Sequence, residues 1–272
     1  MLTVTELYVY PVKSLAGIGV KMAAVTARGF LHDRRLMLVD EGNTCLTQRS
    51  FPAMALLQPV LAADGIYIHH KNNALVPLFV PWHPPGNAYS LVTVWDDTCE
   101  AQLYDNATHE WFSRAIGVAC RLVYMPDTTN RKVDSRYAPN NEIVSFADAY
   151  PMLLIGQASL DDLNTRLAEP LPMNRFRPSI VFTGGEPFLE DQLQEFSVGN
   201  INFRCVKPCA RCTIPTINQD TIAMSKEPLK TLATYRLKDN KVLFGQNLLH
   251  VGDGSIRTGD ILEIKKRQPP AI

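Results

Sequence analysis

The sequence predicts a mainly β protein with some α (α+β), in which short strands far outnumber helices. Short runs rich in β-branched and aromatic residues recur along the whole chain. Clusters of Gly, Pro, Asn and Asp punctuate them as turns. Few windows carry the apolar spacing of a helix, and none is long.

In chain order, residues 3–10 read as a first strand that ends at Pro11-Val12-Lys13-Ser14, a basic residue and a hydroxyl in a strand-end loop. A second strand over 20–26 leads to His32-Asp33-Arg34-Arg35 and the apolar run 36–39. Asp40-Glu41-Gly42-Asn43 is a hairpin turn by composition, and 45–49 begins the return strand. From 51 to 121 the pattern is short strands, among them 65–69 and 90–95, with a short helix over 106–116 carrying Trp111, Phe112 and Ile116. That region reads as scaffold, with His69 and His70 at a water-facing strand edge.

Polar chemistry returns near Asp148, which sits between two alanines before the apolar strand 152–156. Ser159 is placed as N-cap of a helix over 160–167 with two acids in its first turn. Arg175 and Arg177 on an extended segment share one face at i and i+2, an arrangement suited to phosphate; charged residues also blunt strand edges. Residues 180–183 form the next strand, 228–235 a short helix, and 242–249 a strand with two amides, Gln246 and Asn247, in its middle. Further strands end near residue 265.

The 272 residues make one large domain or two small ones. Lys plus Arg and Asp plus Glu number 27 each, so no bulk charge advertises nucleic acid or a membrane surface. Six cysteines without framework spacing suit a reducing compartment, and no signal peptide or apolar run of about 20 residues is present. Cytoplasm is the expected location.

The most informative stretch is Lys207-Pro208-Cys209-Ala210-Arg211-Cys212-Thr213-Ile214-Pro215. Two thiols flank an arginine whose charge favours thiolate, the form that binds metal or attacks a substrate. The preceding residues alternate as a strand that turns Cys205 into the core. The β-branched, proline-containing segment that follows cannot open a helix, which argues against a thioredoxin-like pair. Structural zinc lacks two further ligands at a suitable spacing. Cys205, Cys209 and Cys212 match the spacing of radical S-adenosylmethionine enzymes, but little chain follows and Cys205 faces inward. A pair of buried, unreactive cysteines is the remaining plain reading. Together with Lys13, Ser14, Arg34, Arg35, Arg175, Arg177, Arg211 and Asp148, the pair points to an anionic, phosphate-bearing ligand that carries or is a metal. The residues alone lead no further.

The same motifs resemble the MOSC-domain family, in the branch containing the mitochondrial amidoxime-reducing component and its bacterial relatives. Tyr10-Pro11-Val12-Lys13-Ser14, His32-Asp33-Arg34-Arg35 and Leu46-Thr47-Gln48-Arg49 are similar to successive motifs of the β-barrel region that precedes MOSC there. Ala158 to Asn164, Arg175-Phe176-Arg177-Pro178, Lys207 to Cys212 and Phe244-Gly245-Gln246-Asn247 follow in the family's order. The resemblance implies an N-terminal β-barrel-like domain over 1–122, a MOSC β-barrel over 123–266, and a tail or linker over 267–272.

It implies a molybdenum cofactor with one pterin per metal, ligated by Cys212, with Cys209 as a neighbour. Lys13, Ser14, Arg34, Arg177, Ala210 and Arg211 match cofactor-contacting positions. So do Ser179 and Asn247, where relatives often carry asparagine and tyrosine respectively. Asp148 matches an acid near the metal that relays protons. The implied reaction is reduction of small N-hydroxylated substrates: hydroxylamines, amidoximes and N-hydroxylated nucleobases. Electrons come from a separate donor, a flavoprotein reductase or ferredoxin-like protein, because no four-Cys set remains for an Fe–S cluster; otherwise the Pro-Pro tail is a linker to a further domain. The alternative is a cofactor-binding or sulfur-carrier protein that uses Cys209 and Cys212 without turnover.

Overall fold

The computed structural model describes residues 1–72 and 74–272. Strands from both ends of the chain meet in one sheet. Its order runs Leu262–Arg267, Leu193–Val198, Ile201–Ala210, Lys241–Val251, Met152–Gly156, Ile180–Thr183, Thr3–Val9, Ile18–Val20. Neighbours are antiparallel except Met152–Gly156 and Ile180–Thr183, which run parallel because the helix Gln157–Thr165 crosses between them. The first strand then reaches the last. Thr3 bridges Ile261, Val4 N–H donates to Asp260 O at 2.9 Å, and Leu262 N–H donates to Leu2 O at 3.0 Å. The sheet thus closes as a barrel. Its inward residues, among them Val4, Leu7, Leu154, Ile180, Phe196, Phe203 and Leu248, form one buried cluster that includes Cys205.

A second unit holds a four-stranded sheet in the order Leu36–Val39, Arg121–Tyr124, Asp97–Leu103, Tyr89–Val94. Beside it stands a three-stranded sheet of Leu57–Leu61, Gly65–His70 and Leu78–Pro81. The helix Asn106–Ile116 packs Trp111, Phe112 and Ile116 against Leu36, Leu57, Ile66 and Leu122. It starts at Asp105, whose Oδ1 accepts Thr108 N–H at 2.8 Å, and ends at Gly117 in the left-handed conformation.

The division into 1–122 and 123–266 is crossed by the first strands. Thr3–Val9 pairs with Ile180–Thr183, and Met22–Thr26 pairs with Gly254–Arg257. The chain up to Phe30 therefore belongs to sheets completed by the second half. At the other end Arg267 still pairs with Leu193, and Gln268 N–H donates to Gln192 O at 2.9 Å, so the strand runs into the expected tail. No helix among the described residues is long and apolar enough to cross a membrane.

Ser159 is not an N-cap. The helix starts at Gln157 after Gly156, and Ser159 lies within its first turn, fully buried. Its hydroxyl donates to Glu190 Oε2 and accepts Phe188 N–H, both at 2.8 Å. A buried carboxylate attracts that hydroxyl more strongly than a solvated helix end does. Next to it, Asp191 accepts from Arg236 and, at 2.7 Å, from Gln246 Nε2. Glu190 Oε1 and Gln246 Oε1 have no partner among the described residues. Burial, with the neighbouring Asp191 charge, pushes the Glu190 carboxyl up to about 7 despite the Ser159 hydrogen bond.

Between its ordinary value of 4.5 and about 7, Glu190 holds a proton in the folded chain that the unfolded chain releases. Its stabilising contribution is therefore full below that window and lost above it. Glu190→Gln keeps an acceptor and never ionises. Urea titrations should find it more stable than wild type at pH 8, by up to roughly 3 kcal/mol, and nearly unchanged at pH 5.

Candidate functional site

A cavity opens where the two units meet. Its walls include Lys13, Ser14, Arg34, Asp148, Arg177, Cys209, Ala210, Arg211, Cys212 and Asn247. Of the site residues read from the sequence, Arg175, Ser179 and Arg35, which binds Met125 O and Asp127, are not among these walls. Ser179 is buried behind the wall, where its Oγ accepts Leu153 N–H at 3.2 Å, and its backbone N–H donates to Leu153 O at 2.8 Å. Its side chain thus helps join the strands and does not line the cavity.

The cationic side is built around Tyr10, which is buried at the end of the first strand. The guanidinium carbons of Arg34 and Arg177 each lie 4.3 Å from its ring centre. The phenol donates to Pro178 O at 2.9 Å. Burial pushes that phenol up to about 12, so it stays neutral even beside two arginines. Asp33 fixes the arrangement from behind, with Oδ1 on Tyr10 N–H at 2.8 Å and Oδ2 on Arg34 Nη1 at 2.5 Å. Arg177 Nη1 donates to Leu15 O at 2.6 Å. Burial, with Arg34 close by, pulls Arg177 down to about 10, which leaves it charged at neutral pH.

Ser14, Arg34 and Arg177 all have left-handed backbones, with φ of 65°, 48° and 54°. Non-glycine residues seldom adopt this conformation, and such strain gathers at functional sites. The extended segment expected over 174–179 is instead a 3₁₀ turn at Met173–Arg175. Arg175 and Arg177 therefore do not share a face. Arg175 is buried with Nε on Pro215 O at 2.7 Å, and Arg177 alone reaches the cavity.

Opposite the arginines, Lys13 is buried with Nζ donating to Phe146 O at 2.8 Å and Asp148 Oδ1 at 2.5 Å. Although protein rings Asp148 closely, 57% of its side chain faces open space. Burial alone would raise this carboxyl. The Lys13 ammonium, then Arg49 and Arg34, override that and hold it well below the usual carboxylate range. The loop that presents it is clamped by Arg131, which donates to Ser145 O at 2.9 Å, Ala147 O at 2.6 Å and Asp148 O at 3.1 Å.

The thiols occupy the third wall, where the strand Ile201–Ala210 ends. Arg211 Nη1 donates to Cys209 Sγ at 3.1 Å and Nη2 to Phe176 O at 2.7 Å, so the guanidinium contacts Cys209 rather than Cys212. Its buried Nε has no partner among the described residues. Cys205 stays in the barrel core, as its alternation predicts, and burial pushes its thiol up. Asn247 Nδ2 donates to Lys207 O at 3.1 Å beside the irregular register of the two central strands. Among the described residues no group of three or more His, Cys, Asp or Glu side chains converges on a point, so a metal bound by protein ligands alone has no donor set there.

Four cations thus face one cavity carboxylate, with an orphaned guanidinium N–H and two thiols alongside. That donor set fits a multiply charged anion carrying a thiophilic metal. Two contributors escaped the sequence reading. Arg131 gave no signal, since a buried arginine looks like any other in a chain. Trp95, placed in scaffold, donates its indole N–H to Asp148 Oδ1 at 3.2 Å.

Residues 141–263 match the family model described as the MOSC domain, and residues 1–119 match the MOSC N-terminal beta barrel domain. The chain is 31% identical over 278 residues to mitochondrial amidoxime-reducing component 1 of Homo sapiens, covering 95% of this chain and 81% of that protein. It is 32% identical over 279 residues to mitochondrial amidoxime reducing component 2 of Rattus norvegicus, covering 95% and 82%. It is 31% identical over 259 residues to molybdenum cofactor sulfurase of Oryza sativa subsp. japonica, covering 88% of this chain but only 31% of that protein.

The Tyr10 ring also fixes Gly17. A Cβ there would lie 2.4 Å from Tyr10 Cε1, and the ring, buried and tied through its hydroxyl to Pro178 O, has little room to yield. Gly17→Ala should cost about 1–3 kcal/mol in denaturant titration. Gly19→Ala, whose Cβ would meet its nearest neighbour, Tyr8, at an ordinary 3.8 Å, should cost far less.

Proposed function

The chain belongs to the MOSC family, and we propose that it holds a molybdenum cofactor in this cavity and reduces N-hydroxylated compounds. What carries the reading is the meeting of cationic side chains and a cysteine pair on one wall-to-wall site. Cys212 is the metal ligand. Lys13, Ser14, Arg34, Arg177 and Arg211 hold the pterin and its phosphate, and Ala210 and Asn247 line the bed on which it lies. When bound, the cofactor supplies the two-electron redox chemistry that an N–OH group needs.

The protein's share is charge, orientation and protons. Arg34 and Arg177 are locked on Tyr10, so they lose little freedom when an anion arrives. Asp148 stands ionised at the open end and accepts the N–H or O–H of a small hydroxylamine, amidoxime or N-hydroxylated nucleobase. An anionic cofactor draws on the same cations that depress its carboxyl, and so shifts Asp148 toward the range where it can pass a proton on. Electrons come from a separate flavoprotein reductase or ferredoxin-like partner, and the setting is cytoplasmic. The Arg211 contact to Cys209 favours a second reading, in which Cys209 carries sulfur and Cys212 binds cofactor without turnover.

Protein from a host that makes the cofactor should contain about one molybdenum per chain and reduce an N-hydroxylated compound when electrons are supplied. Cys212→Ser should lose the metal, while Cys209→Ser should keep both metal and reduction. Metal retention with no reduction, combined with sulfur release that Cys209→Ser abolishes, would establish the carrier. Zinc, iron or no metal in the wild type would overturn both readings.

A further inference from the structure

We propose that Trp95 is a positioning residue that works through Asp148, an inference that rests on the role given to Asp148 above. The strands Tyr89–Val94 and Asp97–Leu103 pair with Asp97 opposite Val94, so Trp95 and Asp96 are the whole of a two-residue hairpin turn. Trp95 occupies its first position with φ 57°. A hairpin turn with positive φ there normally takes glycine. A bulky side chain in that conformation is strained, and Trp95, 37% exposed, joins none of the buried apolar clusters among the described residues.

What the indole does gain is a place at the carboxylate. Its N–H and the Lys13 ammonium both bind Asp148 Oδ1, at 3.2 and 2.5 Å. Lys13 Nζ lies 5.3 Å from the Trp95 ring centre, and the Arg49 guanidinium carbon lies 4.2 Å from it. Arg49 in turn reaches toward Oδ2 at 3.7 Å, beyond hydrogen-bond range. Among the described residues Oδ2 accepts no hydrogen bond. One oxygen is therefore held by two donors from different parts of the chain, and the other keeps only the looser Arg49 ion pair among the described residues. With Lys13 alone, the carboxylate can rotate about its Cβ–Cγ bond and exchange the two oxygens. The indole blocks that exchange and holds Oδ2 toward the ligand.

Three variants test this in molybdenum-loaded protein. Trp95→Phe keeps the ring and removes the N–H, and should lower kcat about tenfold, the worth of a hydrogen bond to a charged group, with metal content unchanged. Trp95→Gly relieves the turn, so it should melt no lower than wild type while losing at least as much activity. In an Asp148→Asn background, Trp95→Phe should have no further effect. Cofactor-free protein offers a readout independent of turnover. Tryptophan emission should differ between wild type and Asp148→Asn, and that difference should vanish once Trp95 is Phe. Full activity of Trp95→Phe with an impaired Asp148→Asn overturns this inference alone. Full activity of Asp148→Asn overturns the role of Asp148 and this inference with it.

Discussion

The cavity depends on the stack of two guanidiniums on one buried tyrosine ring. Like charges confined in a space with little counter-charge repel, and left to themselves Arg34 and Arg177 would point to solvent. The Tyr10 ring offers both an attractive surface. Asp33 supplies the nearest negative charge without entering the cavity. Ser14, Arg34 and Arg177, in the turns and loops that line this part of the cavity, all have left-handed backbones. Each such residue costs of order 1–3 kcal/mol. The conformations persist because the neighbouring backbone is tied down: Lys13 N–H donates to Leu36 O at 2.8 Å, Arg34 N–H to Tyr10 O at 2.7 Å, and Gln48 Nε2 to Ser14 O at 2.7 Å.

The barrel makes that stack possible by joining distant parts of the chain. Tyr10 and Arg177 lie far apart in sequence, yet each follows or precedes a strand of one adjacent pair, Thr3–Val9 and Ile180–Thr183. The thiol loop leaves the strand Ile201–Ala210 in the same sheet. Lys13 and the Asp148 loop face each other because Lys13 Nζ and Arg131 bind the carbonyls that precede Asp148. Lys13, Arg177, Arg211 and Asn247 are thus each held by a side-chain bond to backbone from another segment. The entropy of gathering them was spent when the sheets closed, not when a ligand arrives.

Much of this was legible in local pattern. Period-two runs located the strands, the spacing of Trp111, Phe112 and Ile116 located a helix, and strand alternation turned Cys205 inward. Charge and thiol types located the charged residues of the cavity and its cysteine pair. The misses share one physical cause: local pattern carries no information on what a segment meets across space. Arg175 parted from Arg177 because a 3₁₀ turn advances a third of a revolution per residue where a strand advances half. Ser159 followed Glu190, and Ser179 was drawn to Leu153, each by a partner remote in sequence. Trp95 closed a strand pattern so well that its place in the turn, and its reach to Asp148, were hidden.

The electrostatics of the cavity bear on how it takes up an anion. Lys13 is pulled below its ordinary value by burial, and Arg177 likewise, so both already carry a desolvation cost that Asp148 and, for Arg177, Asp33 offset in part. An incoming polyanion lowers that cost in the folded chain and has no equivalent cluster to bind in the unfolded one. By linkage, whatever free energy the anion gains there is added to the stability of the loops that form the walls. The same charge weakens the hold of the cations on Asp148, the group at the open end of the cavity. Filling the cationic end and tuning the acid end are then two consequences of one charge balance. This explains why the arginines, lysine and carboxylate sit in one cavity and not in separate surface ion pairs.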